Sequence, residues 1–336
     1  MADIAAKAGV HQTTVSLALR NSPRLTLETR SQIQALAHEM GYRKDPYVTT
    51  LMAQVHAGRR QEESPVLAIL GTINRAVLEG EPAFREVLRG FRDRAEALGY
   101  TTDFISCADG SSAIRDVARH LDQRGIRAAF LPVATHATQL LDSLTGTALV
   151  SVTGNAFRHR LHTAGPDHFH NTRIAARQFL ATGRSRFAVL VPTNWQSSPV
   201  YEWLGGLRAE LQVAMDQGQL KRPVEPRLIR CKERDATELG AALRRGKVLP
   251  DVVLGYPSIF RETMREAGFR VPQEIAFACP SLFPGETECP GIDPRRFEVG
   301  QAAVDALTAQ IHRHEMGPPL LPRTILVEGK WVSGEA

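Results

Sequence analysis

From Pro65 onward, short apolar runs alternate with stretches of helical periodicity, and this rhythm restricts the fold more than any other feature of the 336-residue chain. VLAIL is followed by a helix carrying Phe84, Val87, Leu88, Phe91, Ala95 and Leu98, then by TTDFIS and another helix. AAFLP, ALVSV, FAVLVP, RLIRC, DVVLG and IAFA continue the series. Strands that read as unbroken apolar runs are buried on both faces, as in parallel sheets covered by helices on each side. The alternating region is too long for one such core, so two α/β lobes with a ligand cleft between them are expected.

The first sixty residues have a different character. They hold eight basic residues (Lys7, Arg20, Arg24, Arg30, Arg43, Lys44, Arg59, Arg60) against four acidic ones (Asp3, Glu28, Glu39, Asp45), so most of the net charge of +5 lies at one end. A surplus placed this way suits a segment that faces nucleic acid. Asp3 can cap a short helix stopped by Gly9. A second helix runs from Gln12 to Leu19, with Val15, Ala18 and Leu19 inward and Gln12, Thr13, Ser16, Leu17 and Arg20 outward. After the break at Asn21, Ser22 and Pro23, Thr26 can cap a third helix with Ile33, Leu36, Ala37 and Met40 on its inner stripe. Two helices around a glycine turn, the second with a polar N-terminal half, make a helix-turn-helix whose second helix enters a major groove. A plain three-helix bundle shares this pattern.

The residues themselves separate the two. The run AGVHQTTVSLALRNSPRLTLETRSQIQALAHEMGY resembles, without gaps, the DNA-binding module of the lactose-repressor (LacI/GalR) family. The resemblance implies a repressor that acts as a homodimer, with tetramers also open, on a near-palindromic double-stranded DNA operator. By position it implies that Gln12, Thr13 and Leu17 read bases, with Arg24 reaching them from a loop. Thr14, Ser16, Asn21, Thr29 and Arg30 would hold phosphates, and Arg20 and Tyr42 complete the DNA-facing set. Glutamine matches adenine's paired donor and acceptor, while phosphate contacts position without reading sequence. His11 departs from the usual serine cap, and Leu17 stands where many members have arginine, so a thymine-methyl contact replaces a guanine contact there.

Residues 1–44 are read as this DNA-binding domain and 45–64 as a hinge helix and linker, opened by Pro46 and ended by Gly58 and the polar run to Pro65. The resemblance places Leu51 as a wedge between base pairs in the minor groove. The plainer alternative, in which Leu51 and Met52 pack two hinge helices together, stays open.

Residues 65–336 are read as the effector-binding and dimerisation domain. The resemblance continues through EPAFREVLRGFRDRAEALGY, PDHFHNTRIAARQFLATGRSRFAVL, WLGGLRAEL and PDVVLGYPSIFRETMREAGFRVPQEIAF. It implies a bilobed domain like a periplasmic sugar-binding protein, with two doubly wound parallel sheets and three interlobe crossings. These are expected near residues 155–166, 280–290 and 317–322. Several polar positions with which the family grips effectors are replaced: Pro257 and Ser258 stand for Asn-Asp, Glu202 for an arginine, and Ser281 and Leu282 for two aspartates. A simple hexose is therefore a poor expectation. Arg75, Phe84, Asn155, Trp195, Glu202, Tyr256 and Ser281 are the candidate effector residues, since aromatics with a few polar groups stack on a sugar or heterocycle. Phe84, Trp195 and Tyr256 could equally be core or rim residues.

Other chemistry finds little footing. His159, His162, His168 and His170 cluster, but without cysteine partners and beside Arg158 and Arg160, so a solvated histidine-rich loop is expected rather than a metal site. Cys107, Cys231, Cys279 and Cys289 have no CxxC spacing and read as buried thiols. No GxSxG elbow, P-loop or dinucleotide fingerprint is present, so neither an enzyme nor a cofactor is expected. With no apolar span and no secretory leader pattern, a cytoplasmic location is expected. The alternatives are a solute-binding or sugar-processing protein with an incidental basic head, and a regulator whose pocket has decayed.

Overall fold

The computed structural model describes residues 2–19, 25–40, 65–71, 73–107, 110–132, 138–152, 161–193, 199–246 and 248–334, with backbone alone at 110–115 and 138–140. The expected hinge at 45–64 lies outside them. At the N-terminus α1 (Ala2–Ala8), α2 (Gln12–Leu19) and α3 (Leu27–Glu39) enclose a small core of Ile4, Ala5, Val15, Ala18, Ile33 and Ala37. Asp3 lies within the first turn of α1 rather than at its cap. Gly9 ends that helix at φ 64°, a backbone region that disfavours any side chain. The Thr26 hydroxyl caps α3 by accepting the Thr29 N–H at 3.3 Å, and Gln34 Nε2 donates to the Ala18 carbonyl at 2.7 Å, tying α3 to the end of α2.

Lobe 1 is built on β1 (Val66–Gly71), β2 (Thr101–Ser106), β3 (Ala128–Leu131), β4 (Ala148–Val152), β5 (His162–Pro166) and β11 (Thr324–Val327). The six strands are parallel in the order β11-β5-β4-β3-β1-β2. Side chains alternate across a strand, so Leu67 and Ile69 meet α5 (Pro82–Ala97) and α12 (Arg296–Arg313) on one face. Ala68 and Leu70 meet α6 (Gly110–Gln123) and α7 (Thr138–Ser143) on the other. The short α4 (Arg75–Gly80) follows β1.

Lobe 2 repeats the plan with β6 (Phe187–Pro192), β7 (Arg227–Cys231), β8 (Val252–Gly255) and β9 (Ala276–Ala278), parallel in the order β7-β6-β8-β9. Val189 and Val191 pack on the side of α8 (His168–Leu180) and α9 (Pro199–Asp216). Ala188 and Leu190 face α10 (Ala236–Arg244) and α11 (Phe260–Glu266). Cys279 bridges to β10 (Gly291–Asp293), which pairs antiparallel with β12 (Lys330–Val332). Each fully buried Leu or Phe in these layers contributes roughly 1.5–3 kcal/mol of hydrophobic transfer.

The chain passes between the lobes at Pro166–His168, at the end of the expected 155–166, and at Asp293–Arg296 and Val327–Lys330, later than the expected 280–290 and 317–322. The strands that lead into these crossings, HTAGP, GID and TILV, each belong to the lobe that the chain is leaving. The first and third crossings are tied together, because the Asp167 N–H donates to the Val327 carbonyl at 2.9 Å.

Candidate nucleic-acid interface and interlobe pocket

On α2 the side chains divide by the geometry of the turn. Val15 and Ala18 are fully buried, Gln12 and Thr13 are exposed, and Thr14, Ser16 and Leu17 are partly exposed along the same outer side. His11 takes over the cap: its Nδ1 accepts the Thr13 N–H at 3.4 Å and lies 2.9 Å from the Thr13 hydroxyl. With Nδ1 as acceptor of both, the Thr13 hydroxyl donates inward and turns its lone pairs outward. Thr29 and Arg30 are half-buried at the start of α3, and the Thr29 hydroxyl is engaged with that of Thr26 at 2.8 Å. Arg20, Asn21, Arg24, Tyr42 and Leu51 lie outside the described residues.

The second site lies where both sheets end. Val152 closes β4, Pro166 closes β5, and Tyr256 and Ser281 follow β8 and β9, so a cavity of about 140 Å³ sits at the carboxyl ends of the strands. Phe84, Val87 and Val299 reach it from lobe 1, Arg296 from the second crossing, and His168, Pro199 and Trp203 from lobe 2. Of the sequence candidates, Phe84, Tyr256 and Ser281 come together there. Arg75 instead pairs with Glu79 at 3.2 Å and lies over the Phe104 ring, and Glu202 does not line the cavity. Asn155 and Trp195 fall outside the described residues.

His168, Trp203 and Arg296 were missed. Trp203 Nε1 donates to His168 Nδ1 at 3.4 Å, and the Trp203 ring is 5.7 Å from that of Tyr256. Burial, and then the charge of Arg296, bring the His168 imidazole down to about 4, so it is neutral near pH 7. Burial pushes the Tyr256 phenol up to about 12. Of the four histidines expected in a loop, His159 lies outside the described residues, His162 is buried in β5 with its Nδ1 accepting the Arg323 N–H at 2.9 Å, and His168 and His170 open α8. Among the described residues no group of three His, Cys, Asp or Glu side chains is placed to hold a metal ion. All four cysteines are free and buried, and no described helix is long and apolar enough to cross a membrane.

Residues 1–45 match the bacterial regulatory proteins of the lacI family. That match covers the head alone. The chain is also 32% identical over 108 residues to the HTH-type transcriptional repressor CytR of Escherichia coli (strain K12), a stretch covering 32% of this chain and 28% of that relative. The chain superposes on the CelR–cellobiose complex with a TM-score of 0.57 at 17% identity, covering 98% of each chain. It superposes on the lac repressor dimer bound to operator and the anti-inducer ONPF with a TM-score of 0.54 at 16% identity, covering 99% and 98%. The bilobed, periplasmic-binding-protein-like fold is thus the one that these LacI-type structures share.

Proposed function

We propose that the protein is a transcription repressor that binds a near-palindromic DNA operator as a homodimer and responds to a small molecule held between its lobes. The observation that carries this is one chain joining a head that matches the lacI family, whose second helix presents an exposed polar side, to a two-lobed domain with a pocket between the lobes. Gln12, Thr13 and Leu17 read bases, and Thr14, Ser16, Thr29 and Arg30 hold phosphates. Arg20, Asn21, Arg24, Tyr42 and the wedge Leu51 complete the contact. Because the pocket has walls on both lobes, a ligand there favours one arrangement of them over another and so changes how the two heads meet DNA.

Retention of a genomic fragment library by the purified protein, followed by footprinting, tests the reading. A short protected palindrome is expected, with log affinity falling against log salt by about 0.9 per neutralised phosphate. Gln12→Ala should cost about 1–3 kcal/mol at one symmetric pair of positions and leave the others unchanged. Uniform weak retention without a footprint overturns the proposal.

A further inference from the structure

The lining of the interlobe cavity is unbalanced. Among the described residues it contains no carboxylate, yet it contains a guanidinium. Among the described residues the hydrogen-bond acceptors of Arg296 are neutral: one terminal nitrogen donates to the Leu282 carbonyl and the other to the Ser281 hydroxyl at 2.9 Å, while the guanidinium lies 5.9 Å from the centre of the Phe283 ring. The nearby acids, Asp293 and Glu286, attract its charge from outside the cavity lining but their oxygens bond to other groups. Asp293 Oδ1 accepts the Arg295 N–H at 2.9 Å, and Glu286 accepts the Phe283 N–H at 2.9 Å and the Ser258 hydroxyl. A guanidinium has five N–H donors in a planar fork that matches a carboxylate. Two backbone and hydroxyl contacts orient it without neutralising it. Burial accordingly holds the Arg296 guanidinium below its ordinary range.

The neighbours point the same way. With Nδ1 accepting from Trp203, the neutral His168 carries its proton on Nε2 and is a second donor. The other walls are apolar, and three of them, Phe84, Trp203 and Tyr256, are aromatic. The volume of about 140 Å³ is close to the roughly 150 Å³ of an apolar protein cavity that accepts one benzene ring, and too small for a disaccharide. A wider hollow of about 570 Å³, lined by Ser258, Arg261, Glu262, Glu286 and Glu288 among others, lies wholly on lobe 2 and is acidic. Filling it engages one lobe and gives no hold on the other.

We infer that the effector is a small organic anion with a single flat ring, its carboxylate on Arg296 and its ring among Phe84, Trp203 and Tyr256. The inference rests on the reading of the cleft as an effector site. The test is calorimetric titration of the full chain with benzoate, with its neutral isostere benzamide, with inorganic phosphate and with glucose. Benzoate is expected to bind about tenfold or more tightly than benzamide, since a charged hydrogen bond is lost, and more tightly than phosphate, which lacks the ring. Arg296→Gln should abolish the preference and Arg296→Lys restore part of it. No heat with benzoate, equal binding of benzamide, equal binding of phosphate, or a preference that survives in Arg296→Gln each overturns the assignment. The wild-type comparison stands even if a variant fails to fold. Operator footprinting without ligand reads the other proposal separately: a footprint with no benzoate binding removes the anion site alone, and benzoate binding with no footprint removes the repressor reading alone.

Discussion

The two lobes share a strand order but hold their inner helix pairs together by different means. In lobe 1, α5 and α12 touch backbone to backbone: a Cβ at Gly90 would lie 1.8 Å from the Phe297 carbonyl oxygen, and one at Gly300 would lie 2.0 Å from that of Val87. Around this contact Phe91, Val299, Ala303 and Leu307 are fully buried. The charged groups nearby, Arg94 with Asp305, are exposed and contribute little. In lobe 2, α8 and α9 also approach at a glycine, where a Cβ on Gly206 would lie 2.4 Å from the Phe169 carbonyl oxygen. One turn further, however, Glu210 is buried and bridges Arg173 and Arg177, each at 2.8 Å. One lobe is fitted by shape and the other by shape and charge, so the two should fail under different insults.

The sharpest break is steric. Gly300→Ala forces a methyl group against the backbone of Val87 and of Phe91, neither of which can rotate away. The helix-propensity gain of alanine offsets part of the strain, and a net loss of about 3 kcal/mol is expected. Among the described residues the tryptophans, Trp203 and Trp331, belong to lobe 2. Thermal melts followed by far-UV circular dichroism should therefore shift earlier than melts followed by tryptophan fluorescence. Coincident shifts would mean that the lobes unfold as one unit and that the difference in packing has no separate consequence.

Charge is the next lever. Burial alone would raise the Glu210 carboxyl, but hydrogen bonds from Arg177 and Arg173 outweigh it and hold the group below the ordinary 4.5. A carboxylate with a lowered native pKa contributes stability that is fully present above 4.5 and is lost as pH falls through the native value. Lobe 2 should therefore loosen in acid while the α5–α12 contact does not. Glu210→Gln should cost about 2 kcal/mol at pH 7. This is less than the full loss of a buried pair, because Arg177 is 48% exposed and stays solvated. The variant should also flatten the acid limb of the tryptophan-detected melt. An unchanged limb would transfer the acid sensitivity to some other group.

The same contrast explains what was legible in the sequence. FAVLVP and DVVLG announce themselves because a strand buried on both faces must be apolar throughout. HTAGP is as buried as they are, yet its small and polar residues leave no run to detect. The outward side of α2 could be listed from one eight-residue helix, since a single periodicity orders it. The pocket draws Phe84, Val152, His168, Tyr256, Ser281 and Arg296 from separate segments, and no spacing connects them. One signal was available: Arg296 lies three and four residues before the buried Val299 and Gly300, on the stripe that continues through Ala303 and Leu307. A charge on an apolar stripe is a buried polar group, and those call for a partner.

The smallest expected effect lies at the junction. Asn171 on α8 is fully buried, and its Oδ1 accepts the Gly329 N–H at 2.7 Å, between β11 of lobe 1 and β12 of lobe 2. Its Nδ2 is buried without a hydrogen-bond partner. Asn171→Ala loses the bond to Gly329, but it also removes that unsatisfied donor, and the two changes oppose one another. A net loss of about 1 kcal/mol is expected, below that of either helix-pair variant. The local effect should be larger than the global one: the Gly329 amide, left without an acceptor, should lose protection from hydrogen exchange while the strand amides of both lobes keep theirs. If the melting temperature instead falls as far as in Gly300→Ala, the third crossing holds the lobes in register. The contrast between a shape-fitted and a charge-fitted lobe would then be secondary to the joint that couples them.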